Sequence, residues 1–313
     1  MLKFQNLHQT KSLRELDVSA SGLQIIGLLT YDLEILQKTN FLVNKERKES
    51  KNDIYSVYLN KYLEVYSDAP GFLNRKVFKN ILMCYLYNES HYGLLKKLEG
   101  LIDYSLRSTF DLNAEVFRIR GFLNENFIAF DKVFKIIDGI VDEAIKSNSI
   151  IGLGVSDNLM SYQFYGLQES KRFYYYGRFG KRQNVTIKQD CFPLTIDKRK
   201  SRRATLPNFI HSLDALLLQF VVDYAVKESI PIVVVHDCFI VHKKYSKLIK
   251  KAYFEGAYNL FFNKGKMPIL DFIDQNVVNI EFKKGYKQFI KELDNSKSKI
   301  DFNIYVESPN ILS

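Results

Sequence analysis

The sequence predicts a mixed, helix-rich α+β fold, and three observations carry that expectation. Runs with helical periodicity recur along most of the chain. Four short segments between residues 150 and 188 read as a β-rich insert. Two apolar runs, 230–235 and 239–242, flank a lone His-Asp pair and read as a tight hairpin. With 313 residues and 46% hydrophobic content, the chain can build one large domain or two modest ones.

The elements follow in order. Residues 12–18 (SLRELDV) read as a short strand. Ser21 and Gln24 have capping-box spacing, and IIGLLTYDLEIL after them has the length and period of one helix. Asp17 therefore stands where a strand gives way to a helix. TNFLVNKERKESKN (39–52) reads as a polar linker. Helices are expected over 53–66, 73–88 and 114–146, the last broken at Gly121 and Gly139. Strands are expected at 150–155, 161–165, 172–179 and 184–188, with a turn at Asp157-Asn158. IDKRKSRRA (196–204) reads as a basic loop. Pro207 then opens a long helix to about residue 227, apolar at Leu213, Leu216, Leu217, Phe220, Val221 and Tyr224. Helical patterns at 245–262 and 269–276 and a basic tail from Lys283 complete the chain, without internal repeats.

Charge narrows the partners. Lys and Arg number 45 against 35 Asp and Glu, a net +10 with an isoelectric point near 9.2. That balance favours a polyanion, either nucleic acid or a membrane surface. No run of membrane-spanning length is read from the sequence, and MLKFQNLHQTKSLRELD lacks the apolar core of a secretory leader. Lys3 and Lys11 leave room for a transit peptide, against which stand the early Glu15 and Asp17 and the scarcity of Arg. Cys84, Cys191 and Cys238 are odd in number and far apart, which fits a reducing compartment. The bias to Lys, Asn, Ile, Phe and Tyr, with no Trp, points to an A+T-rich coding genome such as that of an organelle or its plasmids.

Three constellations carry chemistry. Arg75, Lys79, Met83 and Tyr87 are four apart, and each lies about 40° round the helix from the last, so they form one slanted stripe. Cations on successive turns suit a triphosphate, and an aromatic beyond them suits a base or sugar. Asp17 and Asp237 each end or turn a strand. Brought together, two carboxylates call for hard divalent ions, and a pair of such ions about 3.5–4 Å apart serves in-line phosphoryl transfer. His211 lies one turn from both Asn208 and Asp214 on the Pro207 helix. Viewed alone, each has an ordinary alternative: a solvated helix face for the stripe, a helix N-cap for Asp17, a turn residue for Asp237, and a hydrogen-bonded polar face for His211 and Asp214. His236 and Cys238 share a strand face, but without a third orienting group Cys238 reads as a packed residue, not a nucleophile.

In order, DVSASGLQ (17–24), RKVFKNILMCYLYNESHYG (75–93), PNFIHSLDA (207–215) and HDCF (236–239) resemble the phage-type single-subunit DNA-directed RNA polymerases, the group that includes mitochondrial and mitochondrial-plasmid enzymes. The first looks like that family's motif A, the second like motif B (R-x3-K-x3-M-x3-Y) and the last like motif C. NDIY (52–55), VSDNLMSYQFY (155–165) and LDFIDQ (270–275) resemble further family segments, and VESPNILS matches its closing segment in position.

The resemblance implies a right-hand polymerase palm (1–48 and 206–313) with inserted fingers (49–205), the N-terminal domain and thumb being absent. It implies that Asp17 and Asp237 hold two Mg²⁺ ions. Arg75 and Lys79 would hold the nucleotide's phosphates, with Lys79 assisting the leaving pyrophosphate. Tyr87 would help choose ribose over deoxyribose, His211 would contact the ribose side, Tyr55 would support that pocket, and His236 would buttress the hairpin. The implied partners are a DNA template, an RNA transcript and ribonucleoside triphosphates, with no membrane. A separate chain would supply the missing portions, and the location would be mitochondrial.

Related DNA polymerases share the Lys and Tyr spacing of motif B. Met83, Ser21-Gly22 in place of their Glu, and Cys238 after Asp237 favour RNA synthesis. Val18 and Ile240 replace glycines usual in the family, and its C-terminal aromatic foot is replaced by Asn-Ile-Leu-Ser. The alternatives are an inactive nucleic-acid-binding remnant and a fragment of a related DNA polymerase.

Overall fold

In this computed structural model the described residues are 12–46, 51–154, 161–192, 195–263, 267–277 and 285–312. Strand β1 (Leu13–Asp17) leads into helix α1 (Ser21–Thr30), which is buried from Gly22 through Thr30. The capping box does not form. Ala20, left-handed at φ 57°, is the N-cap and makes no side-chain cap bond. Gln24 is instead buried, donating to the Thr39 carbonyl (2.9 Å) and accepting from the Tyr253 hydroxyl (3.1 Å).

The single helix expected after Ser21 is two. Tyr31 turns left-handed (φ 52°) and sends its hydroxyl to the Phe261 carbonyl at 2.8 Å. Helix α2 (Leu33–Lys38) then starts from Asp32, whose carboxylate accepts from the Ile35 amide. Gly27 lets the two helices close, since a Cβ there would lie 2.9 Å from Ile35 Cγ2. The supposed linker holds strand β2 (Leu42–Asn44); residues 47–50 of it lie outside the described set.

Helices α3 (Ile54–Val65) and α4 (Arg75–Leu86) fall where periodicity placed them. Helices α5 (His91–Leu101) and α6 (Tyr104–Arg107) were not anticipated. The break between α7 (Leu112–Asn126) and α8 (Ile128–Lys146) comes at Phe127, not at a glycine. The chain bends there to bury the Phe127 ring against Tyr58, with centroids 4.7 Å apart.

Strand β3 (Ile151–Gly152) pairs with β4 (Tyr162–Gln163), and β5 (Gln168–Tyr176) pairs with β6 (Arg182–Asp190), exposed along its whole length. The turn expected at Asp157-Asn158 lies outside the described residues. The expected basic loop is helical. Helix α9 (Lys198–Lys227) is capped by Asp197, whose side chain accepts from the Lys200 amide, and Pro207 lies inside it. Lys and Arg are good helix formers, so the run reads as loop only by its charge.

Strands β7 (Ile232–Val235) and β8 (Cys238–His242) form the expected hairpin, and β1 adds antiparallel to β8, giving the order β1-β8-β7. Helix α10 (Ser246–Ala257) runs on into a π-helical turn, Tyr258–Phe262. Helices α11 (Pro268–Asn276) and α12 (Lys287–Ser298) follow, then β9 (Tyr305–Glu307), which pairs with β2. Much of the expected basic tail is thus helix and strand.

The architecture is the helix-rich α+β class. Its core gathers α1, α8, α9 and α10 around buried Leu23, Phe209, Leu213, Leu217 and Tyr253. One correction concerns α9, which is long and apolar enough to cross a membrane by length and composition. A protein's central packed helix passes the same test, and the apolar side of α9 is spent on α1, α8 and α10.

Candidate active site

The β1–β8 register brings the two aspartates side by side in the backbone. Leu16 pairs with Phe239, and both are buried; Asp17 pairs with Cys238, next to Asp237. The Val18 amide donates to the Asp237 carbonyl over 3.3 Å. Paired strand positions place the two Cα atoms within roughly 7 Å. A one-residue slip would expel Leu16 and Phe239 from the core, so the packing pins the pair. The closing segment reaches the same place: Leu312 bridges Val18, and the Ser19 hydroxyl donates to the Asn310 carbonyl.

Burial first, then Asp237, pushes the Asp17 carboxyl above the ordinary carboxylate range, while Lys79, the Val18 amide and Lys51 pull it down. A third carboxyl belongs to this field. Asp214, half-buried on α9, is pushed up to about 6 by burial and by Asp237. Among the described residues it makes no hydrogen bond to His211, the partner its spacing suggested, and no Lys or Arg forms an ion pair with Asp17, Asp214 or Asp237.

Helix α4 supplies the facing side. Asn74 caps it, accepting from the Lys76 and Val77 amides. Val77, Phe78, Ile81, Leu82, Tyr85 and Leu86 are buried, which leaves Arg75, Lys79, Met83 and Tyr87 on the open stripe. Tyr87 ends the helix as its C-cap, its amide donating to the Met83 carbonyl. The Tyr55 ring lies 5.0 Å from Lys79 Nζ and 5.7 Å from the Arg75 guanidinium, and its hydroxyl reaches Met83 Sδ at 3.4 Å. Burial above all, then Tyr87, Asp53 and Asp237, raises the Tyr55 phenol to about 12. Arg75 is held bidentate by Asp53, which also accepts from the Ser56 hydroxyl, and this guanidinium keeps the Asp53 carboxyl below its usual range. Tyr87 stacks on His211, and its phenol is pushed up by burial, then by Asp214 and Asp237.

Asp17, Arg75, Lys79 and Tyr55 line one cavity of about 260 Å³, together with Lys38 at the end of α2 and with Asn40 and Lys51 from the segment read as a linker. Those last three carry no periodic signal and meet the site only in space. A larger cleft of about 640 Å³, walled by Phe254, Tyr258, Phe302 and Tyr305, shares no residue with it.

One sequence expectation changes. His236 is exposed at the left-handed position of the hairpin turn (φ 55°), and among the described residues it makes no hydrogen bond, ion pair or ring contact. It shapes the turn by its backbone; its side chain buttresses nothing there. The Cys238 thiol is pushed up by burial and by Asp17 and Glu15, the reverse of what an activated nucleophile needs.

Among the described residues no group of three or more His, Cys, Asp or Glu forms a metal cage. Two mutually repelling carboxylates beside an open, phosphate-sized cavity nevertheless fit Mg²⁺, which takes one or two carboxylates and completes its shell with water and substrate phosphates.

Residues 14–255 match the DNA-dependent RNA polymerase family. A probable DNA-directed RNA polymerase of Gelasinospora sp. (strain G114) is 25% identical over 264 residues, covering 72% of this chain and 31% of the relative. Its counterpart in Agaricus bitorquis is 24% identical over 281 residues (79% and 25%), and that of Zea mays 23% over 285 (78% and 25%). The chain thus spans less than a third of the length of these relatives. The POL domain of Pol1 from M. smegmatis, solved with DNA primer-template and dNTP, aligns at a TM-score of 0.42 and 16% identity over 79% of this chain and 36% of that one. Because the family match runs from β1 to α10, and so takes in every element that builds the cavity, this chain belongs to the DNA-dependent RNA polymerase family.

Proposed function

We propose that this chain carries the nucleotidyl-transfer centre of a DNA-directed RNA polymerase. The observation that supports it best is the meeting of Asp17 and Asp237 at the β1–β8 junction, in the field of Lys79. In the reaction, the 3′-hydroxyl of an RNA transcript attacks the α-phosphate of a ribonucleoside triphosphate paired to a DNA template. A new P–O bond forms as the hydroxyl gives up its proton to solvent water, the α–β bridging P–O bond breaks, and pyrophosphate leaves with the charge. Asp17 and Asp237 would hold two Mg²⁺ ions, which supply Lewis acidity at the attacking and leaving oxygens.

The chain's own groups position and neutralise. Lys79 has no carboxylate partner among the described residues, so it is available to the leaving pyrophosphate. Arg75 joins it along the stripe. Tyr87 and His211 form one aromatic wall for the base pair and ribose, and Tyr55, fixed through Met83, supports it. Residues 1–48 and 206–313 serve as palm and 49–205 as fingers. Promoter choice and further template contacts would come from portions beyond residues 1–313, in the same or a second chain. The compositional bias supports a role on a mitochondrial genome or plasmid.

The test is incorporation on a primed DNA template with Mg²⁺, comparing ribo- and deoxyribonucleotides and the variant Asp237→Asn. Ribonucleotide incorporation lost in Asp237→Asn is expected. Preferential deoxyribonucleotide use would point to a DNA polymerase, and nucleic-acid binding without incorporation to a remnant.

A further inference from the structure

The cavity beneath the α4 stripe has a second wall, built by the chain that joins α2 to α3. Lys38 ends α2, and Lys51 lies just before α3. A reciprocal clamp ties these stretches together. Asn40, left-handed at φ 59°, donates through its side-chain amide to the Asn52 carbonyl (2.9 Å) and accepts from the Asn52 amide (2.7 Å). The Asn52 side chain donates in turn to the Gln37 carbonyl (3.2 Å). Both lysines are thereby held on the cavity that also takes in Asp17, Arg75 and Lys79.

The charges do not balance. Among the described residues that line the cavity, Lys38, Lys51, Arg75 and Lys79 face only Asp17 and Asp53, and Arg75 is already engaged by Asp53. Among the described residues Lys38, Lys51 and Lys79 make no ion pair. With Asp17 offsetting one of these three ammonium groups, two positive charges are in excess around a small concave site, and they repel one another unless a further anion lies between them. Arg75 and Lys79 are one turn apart, about 6 Å along the helix, and both approach from the α4 side, which leaves the opposite side of a bound triphosphate to other groups.

We propose that Lys51 and Lys38 form a second phosphate-binding edge, separate from α4, which takes the β- and γ-phosphates of the incoming nucleotide and holds the pyrophosphate after cleavage. This rests on the nucleotidyl-transfer reading and extends it to the product. The forward reaction would release pyrophosphate past this edge, and pyrophosphorolysis would load it there.

Calorimetric titration of the purified chain with pyrophosphate, in metal-free buffer at low salt, tests this without any turnover. Lys51→Ala and Lys38→Ala should each weaken pyrophosphate binding about ten-fold, as expected for removal of one charge-assisted hydrogen bond. Asn52→Ala should weaken it with both lysines present, whereas Lys251→Ala, on the separate aromatic cleft, should not. Circular dichroism of each variant checks the fold. Unchanged binding in Lys51→Ala and Lys38→Ala, with weaker binding in Lys79→Ala, would overturn the second edge and leave the nucleotidyl-transfer reading standing. If Lys79→Ala is silent as well, the cavity is no phosphate site and both fall.

Discussion

Tyr87 lies stacked on His211, with ring centroids 5.2 Å apart and planes 26° from parallel. The end of α4 and the middle of α9 therefore present one aromatic surface. Gly22 admits the phenol: a Cβ there would sit 3.1 Å from the Tyr87 hydroxyl. Tyr87→Phe keeps the stack and removes only the hydroxyl. Ribonucleotide incorporation should stay within a few-fold, while discrimination against deoxyribonucleotides drops about ten-fold, the worth of one hydrogen bond. Paired kcat/KM measurements with both nucleotide types check it.

Replacing either of the two carboxylates proposed to hold metal should stop the chemistry and spare the fold. Asp17→Asn and Asp237→Asn are expected to cut incorporation by at least about a thousand-fold, since several kcal/mol of charge stabilisation depend on them. Both variants should melt no lower than the parent, because each relieves repulsion between neighbouring carboxylates. Thermal unfolding beside primer extension separates the two effects.

Asp214 makes stability depend on pH. Its carboxyl, raised from 3.8 to about 6, holds a proton more tightly in the folded chain than in the unfolded one. The stability it contributes is therefore present at low pH, falls as pH rises from about 4 to about 6, and is flat above that. The loss amounts to roughly 2–3 kcal/mol at most. Asp214→Asn should be the more stable form at pH 8 in metal-free buffer and should flatten this part of the profile, read by urea unfolding at pH 5 and pH 8.

A second buried network tests the packing away from the site. The Tyr62 hydroxyl donates to Glu115 at 2.6 Å, and both residues are buried. Arg118 donates to the other Glu115 oxygen at 3.2 Å. Tyr62→Phe leaves one carboxylate oxygen short of a donor and should cost about 1–2 kcal/mol by urea unfolding, with incorporation unchanged.

The β5–β6 ribbon tests where the positive charge acts. All eighteen strand residues are exposed, and Arg172, Arg182 and Lys188 share one face with Tyr174, whose ring lies 3.9 Å from the Arg182 guanidinium. Replacing residues 168–190 with a short turn should leave the melting temperature nearly unchanged. DNA affinity should fall, and its dependence on salt should become shallower by about one unit of slope for each phosphate that the ribbon neutralises. Affinity measured at several salt concentrations decides this.

Much of the site was legible because its signals are local. The Arg75–Lys79–Met83–Tyr87 stripe follows from helical period alone, and the strand–turn–strand around Asp237 follows from two apolar runs that no helix of that length would hold. The placement of Asp17 at a strand end needed only the change of period beside it. Local pattern went wrong where packing overrode it. Tyr31 and Phe127 break helices because burying their rings outweighs continuing the hydrogen-bond ladder, and the basic run at 198–203 joins a helix because Asp197 caps it. What only the tertiary structure decided are the long-range meetings. The β1–β8 register is set by Leu16 against Phe239, the approach of Asp214 to Asp237 by how α9 docks, and the arrival of Lys38 and Lys51 by the Asn40–Asn52 clamp. None of these pairs shares a local period. Each is fixed by which buried side chains and amides mesh across the fold, a relation that neighbouring residues in the sequence do not encode.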